Sequence, residues 1–243
     1  MFGRYSLDKP GLILANQGET LEDYLKQIPQ PQFKPDADNV IPILSDNYFK
    51  NDIVEYFNKF LKITFGEANY KQNLDYIESC LAKDSLQKTK AKKTTASNTG
   101  QMNIRKYFLT NFYTDHVKRY KKRPIYWLFS SPKGSFNAII YMHRYREDTV
   151  SIILDKYLRE FMVKLENEVN FLESSKTSKT ANAADLKKNN NEIEKIKAVI
   201  KELKDYERNI IYPLATSQLK IDLDDGVKVN YAKFGKALKT IKG

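Results

Sequence analysis

Two long runs of apolar residues, spaced three and four apart, restrict this chain more than any other feature. In the first, Ile153/Leu154, Tyr157/Leu158, Phe161, Leu165, Val169 and Leu172 mark one side of a helix over Thr149–Glu173. In the second, Leu186, Ile193, Ile196, Ile200, Leu203 and Ile210 mark a helix over Leu186–Ile211, which Pro213 should close. Neither stripe is stable in water. The short Ser174–Ala184 connection predicts that they zip into an antiparallel helical hairpin with a coiled-coil seam, Leu165 and Ile200 along it. Asn189–Asn191 weakens the first turn of the second helix.

The text around this hairpin is mixed. Ile125–Ser130 and Ser135–Met142 are β-branched and aromatic, and the Ser131-Pro132-Lys133-Gly134 step between them predicts a β-hairpin. Leu219–Leu223 and Val227–Tyr231 flank Asp224-Asp225-Gly226, whose Asp-Gly step predicts a second, closing β-hairpin. Ile104–Tyr120 reads as one amphipathic helix, stopped at Arg123-Pro124. Helices are also expected over Asp52–Phe65, capped by Asn51 and ended by Gly66, and over Glu67–Lys83. A short helix at Thr20–Gln27 is expected in the proline-punctuated stretch before Val40, and the text from Val40 reads as helical. The expected class is α+β, mainly helical. Its order is an irregular segment 1–39, a helical subdomain 40–83, a flexible Lys/Thr/Ser-rich linker 84–101, a basic helix plus β-hairpin 102–146, the long helical hairpin 147–212, and a C-terminal β-hairpin and tail 213–243.

Composition excludes several classes of function. Hydrophobic residues are 41% of the 243, with 16 Tyr and 13 Phe, so a packed core is expected rather than disorder. No window approaches the ~20 apolar residues of a membrane helix, and no secretory leader is visible, so a cytoplasmic protein is expected. The single Cys80 lies on an apolar helix face with Leu74, Ile77 and Leu81 and reads as a core residue, while His116 and His143 have no metal-ligand spacing. There is no Gly-x-Gly, no Gly-x-Ser-x-Gly and no His-Glu-x-x-His. No catalytic, cofactor-binding or metal residue is therefore expected in this chain.

Charge is unevenly spread. The net charge is +11, and residues 104–146 carry ten cations against one acid, Asp115. Eleven aromatic residues, Trp127 among them, share that stretch. Lys118, Arg119, Lys121, Lys122, Arg123, Lys133, Arg144 and Arg146 are the candidate DNA-binding residues, because clustered cations release the counterions condensed on a polyphosphate. Two plainer readings stand beside this one: a solvated charged face, or a surface for an acidic protein. The aromatic residues at helical spacing read as core.

Longer stretches carry a resemblance. Lys122-Arg123-Pro124-Ile125-Tyr126-Trp127-Leu128-Phe129-Ser130-Ser131, then Lys133-Gly134-Ser135-Phe136 and Ile140-Tyr141-Met142-His143-Arg144-Tyr145, are one block. Met1-Phe2-Gly3-Arg4-Tyr5-Ser6-Leu7-Asp8, Asn39-Val40-Ile41-Pro42-Ile43-Leu44 and Asp222-Leu223-Asp224-Asp225-Gly226-Val227-Lys228-Val229-Asn230-Tyr231 are three more. Together they resemble the C-terminal region of the PglX family, the adenine-specific DNA methyltransferases of BREX (bacteriophage exclusion) defence systems. The resemblance implies a longer enzyme that uses S-adenosylmethionine and an Asn-Pro-Pro-Tyr-type motif. Neither that motif nor a glycine-rich cofactor loop is present here, so no catalytic residue carries over. It implies as partners double-stranded DNA, an N-terminal methyltransferase domain and other BREX subunits. The expected role is non-catalytic DNA binding or scaffolding. The alternative is a protein–protein docking module that works through the helical hairpin.

Overall fold

The computed structural model describes residues 20–31, 33–91, 102–175 and 183–241. Its centre is a three-stranded antiparallel sheet in the order β1-β3-β2, formed by β1 (Val40–Pro42), β2 (Tyr126–Ser130) and β3 (Asn137–Tyr141). The β2–β3 hairpin is as expected, paired from Tyr126↔Tyr141 to Ser130↔Asn137. β1 was not expected. The text from Val40 predicts helix, yet Val40-Ile41-Pro42 pairs with Ile140, Ile139 and Ala138 as an edge strand. Pro42 is compatible with this place, since an edge strand tolerates its missing N–H. Every residue of β3 is buried, as in a strand covered on both faces.

Helices form those two covers. On one face, Val40, Trp127, Phe129, Ala138 and Ile140 join a core built by the long helices. These are α6 (Thr149–Ile152), a π-turn at Ile153–Arg159, α7 (Glu160–Ser175), α8 (Ala183–Tyr206), a second π-turn at Glu207–Ile211 and α9 (Tyr212–Ser217). On the other face, Ile41, Leu128 and Ile139 pack with Ile53, Val54, Ile104 and Tyr113. Those belong to α2 (Ile53–Phe65), α4 (Ile104–Thr110) and α5 (Phe112–Arg119), with Leu74, Ile77 and Leu81 of α3 (Tyr70–Ala91) beside them. A small α1 (Leu21–Gln27) packs around Ile28.

The helical hairpin is antiparallel. Ion pairs Glu173–Lys197 and Glu166–Lys204 step down α7 while stepping up α8, and Arg159–Glu207 continues the series between the two π-turns. Leu165 and Ile200 are both buried in the seam. Asn189, expected to weaken a first turn, lies in the second turn of α8 and donates to the Ser175 hydroxyl at the end of α7. Pro213 does not close the second helix. The π-turn before it widens the backbone ladder, so a residue without an N–H passes into α9 and the helix runs on to Ser217.

Five other expectations are corrected. The closing β-hairpin is absent: Leu223–Asp225 is a 3-10 turn and Gly226–Lys233 is a helix, α10. Buried Asn230 decides this, because its amide nitrogen donates to the carbonyls of Asp222 and Gly226, a bond that exists only when the chain coils back. Asp52, not Asn51, caps α2 by accepting from the Val54 N–H at 2.8 Å; Asn51 instead donates to Val40 O, Asp36 and the Tyr157 hydroxyl. The helix expected over Ile104–Tyr120 is kinked at Asn111, where the Thr110 hydroxyl bonds back to Lys106 O. Cys80 is half-buried rather than core. Finally, α3 continues through Ala91, into the expected linker, and residues of 40–83 share a core with residues of 102–146. Residues 92–101 and the Met1–Asp8 stretch lie outside the described residues.

Candidate nucleic-acid interface

The eight candidate cations do not form one surface. Five do. Lys118, Arg119, Lys121, Lys122 and Arg123 are exposed along the end of α5 and the turn that follows. That turn is a Schellman stop, with Lys122 N–H bonded to Val117 O at 2.9 Å and Lys121 N–H to Lys118 O at 3.1 Å. Such stops normally place glycine in the left-handed position. Here Lys121 and Lys122 both take it, with φ of 50° and 61°. Two adjacent lysines therefore hold a backbone that costs them free energy, a pattern that collects at functional sites.

α10 adds a sixth cation that the sequence reading missed. Lys228 lines a depression of about 400 Å³ with Arg119, Tyr120, Lys121 and Arg123. α10 is docked there by a 2.8 Å hydrogen bond between the Tyr113 and Tyr231 hydroxyls and by the edge of Trp127 against Tyr231. The strand reading of Val227–Tyr231 hid this neighbour, and nothing in the local sequence marks it. Among the described residues, no ion pair joins any of these six cations to a carboxylate.

The remaining three cations lie elsewhere. Lys133 is in the β2–β3 turn, beyond Ser130, at the far end of strands whose near end follows Arg123. Its N–H donates to Glu202 Oε1 at 2.7 Å, which pins the turn to α8. Arg144 is buried, and its guanidinium donates to Ala37 O at 3.3 Å. Arg146 grips Asp148 with two bonds of 3.0 and 2.6 Å. Arg105, part of the same basic stretch, makes a two-pronged pair with buried Asp52 at 3.0 and 3.1 Å.

Both histidines are engaged by their neighbours. His116 Nε2 accepts the Tyr126 N–H at 3.2 Å, and burial pushes its pKa down to about 4, so the ring is neutral at pH 7. His143 stacks on Tyr141 with centroids 5.1 Å apart. Trp127 is fully buried, its indole N–H donating to Pro124 O. No cluster of His, Cys, Asp or Glu among the described residues has metal-site geometry. No helix among them is long and apolar enough to cross a membrane.

Comparison with known proteins gives this surface a context. The chain is 32% identical over 242 residues, 99% of its length, to the adenine-specific methyltransferase BrxX of Escherichia coli O9:H4 (strain HS). It is 33% identical over 241 residues, 96% of its length, to the adenine-specific methyltransferase PglX of Lacticaseibacillus casei (strain Zhang). The chain is homologous to a segment of these methyltransferases. It spans only 19% and 18% of their lengths, about a fifth of each. No protein-family model matches the sequence.

Proposed function

We propose that this segment holds duplex DNA by its phosphate backbone for an adenine-specific methyltransferase of a BREX defence system, and contributes no catalytic residue itself. The exposed ridge of Lys118, Arg119, Lys121, Lys122, Arg123 and Lys228, none of them ion-paired to a carboxylate among the described residues, supports this reading. An adenine must leave the base stack to reach an active site, and firm backbone contacts outside that site keep the duplex in place meanwhile. The N-terminal methyltransferase domain and other BREX subunits are its proposed partners, with S-adenosylmethionine bound outside this chain. A protein-docking role for the helical hairpin is the second reading, favoured by Phe171 and Val163, which are 71% and 52% exposed on α7.

Titration of labelled duplex at several salt concentrations separates the two. With about five phosphates engaged, log affinity should fall against log salt at a slope of roughly −4 to −5, since each contributes about −0.9. Replacing Lys121, Lys122 and Arg123 together with Gln should make the slope shallower by about 2 to 3 and weaken all sequences alike. Lys133→Gln, at the opposite end of the hairpin, should leave it unchanged. Salt-independent affinity, or an unaltered triple variant, leaves docking as the better reading.

A further inference from the structure

Beside the ridge, on the outer side of the α4–α5 kink, lies an open cleft of about 770 Å³. It is lined by Tyr107, Phe112, Asp115, His116, Lys118 and Arg119. Its walls are rings: Tyr107 and Phe112 are half-buried, with centroids 6.3 Å apart and tilted 70°, and Phe112 stacks against His116 at 6.3 Å. Its one acid, Asp115, takes a long 3.5 Å hydrogen bond from the Tyr107 hydroxyl. Its rim is cationic, because Lys118 and Arg119 belong to the ridge, and Arg119 also lines the depression shared with Lys228.

We propose that this cleft receives an unstacked, amino-bearing nucleobase of a nucleic acid whose phosphates lie on the ridge. The charges set the orientation. A phosphate is repelled by Asp115 inside the cleft and attracted by Lys118 and Arg119 at its mouth, so a nucleotide enters base first. Once inside, the base has aromatic faces to stack on, and the carboxylate accepts a hydrogen bond from an exocyclic amino group. Neutral His116, buried behind Phe112, brings no second charge to the wall and backs that ring. Thymine has no exocyclic amino group and should fit least well.

The proposal rests on the phosphate-binding reading, and the test keeps the two apart. The probes are a blunt duplex and the same duplex with a single 2-aminopurine bulge, titrated against the whole chain. The bulged duplex should bind at least about five-fold tighter, with loss of 2-aminopurine fluorescence as the base stacks. A thymine bulge should lose most of that preference. Tyr107→Leu and Phe112→Leu keep apolar volume for the core but remove a ring, and each should abolish the preference and the quenching. Affinity for the blunt duplex and its salt slope should remain as in the parent, which shows that the variants are folded. Tyr107→Phe should retain the preference. Equal binding of bulged and blunt duplex with the expected salt slope overturns the nucleobase site and leaves the backbone reading standing. Binding of neither duplex overturns both. Quenching that survives in Tyr107→Leu also overturns the proposal.

Discussion

At the scale of single residues, side chains of one charge type do unlike work according to what surrounds them. Lys121 holds a left-handed backbone at φ 50°, and glycine would relieve it. Lys121→Gly should therefore stabilise the fold by about 0.5–1 kcal/mol in urea denaturation, while making the duplex salt slope shallower by about 1. A gain in stability with a loss in binding separates a lysine kept for its charge from one kept for the fold. Asp36 is the converse, a buried carboxyl bonded by Asn51 and by the Tyr56 hydroxyl, 3.0 and 2.8 Å away. Asp38, on the same turn, faces Lys156 and the Tyr157 hydroxyl. Burial, and then the neighbouring Asp38, push the pKa of Asp36 up to about 7 from an ordinary 3.8. The folded chain thus keeps a proton that the unfolded chain releases near pH 4, and this contribution to stability is lost as pH rises to about 7. His116 acts oppositely between about 4 and 6.5, being neutral when folded and charged when unfolded. Comparing Asp36→Asn with the parent isolates the carboxyl. The variant should gain on the parent as pH rises from 4 to 7, and the gap should level off above 7, read from melting at each pH.

At the scale of elements, periodicity predicted best where one local pattern meets one partner nearby. The α7–α8 seam is such a case, and Leu165→Asp or Ile200→Asp should each cost several kcal/mol by burying an unpaired charge. Melting of either variant at the parent's temperature would mean that the helices do not depend on that seam. The two π-turns and the passage of Pro213 were not legible, because a helix stripe averages over a one-residue insertion without losing its apolar side. The Asp-Gly step predicts a hairpin and starts a helix for a related reason. Gly226 does take a positive φ of 80°, as a hairpin turn would need, but the Asn230 side chain uses that turn to start a helix.

At the scale of the whole molecule, the sheet joins what composition seemed to separate. β1 contributes Val40 to one core and Ile41 to the other, and the C-terminal Lys239 N–H bonds Leu128 O along the outer edge of β2 at 2.8 Å. A chain reduced to residues 102–241 would lose Ile41, Ile53 and Val54 from the core over Leu128 and Ile139 on one face of the sheet. It should melt without cooperativity and bind a hydrophobic dye, whereas a fragment with its own complete core would melt as sharply as the parent. The sequence by itself determined the helical hairpin, the β2–β3 hairpin and the basic, aromatic character of 104–146, since each depends on spacings of a few residues and on composition. Tertiary structure alone decided that Val40–Pro42 is a strand, that Arg144 is core while Lys121 is surface, and that Lys228 joins Arg119. Those outcomes depend on partners about a hundred residues away, such as Asn39, whose side chain is bonded to the backbone of Tyr141, and on which cation is covered by another element. Burial is a property of what packs on a residue, and no local pattern carries it.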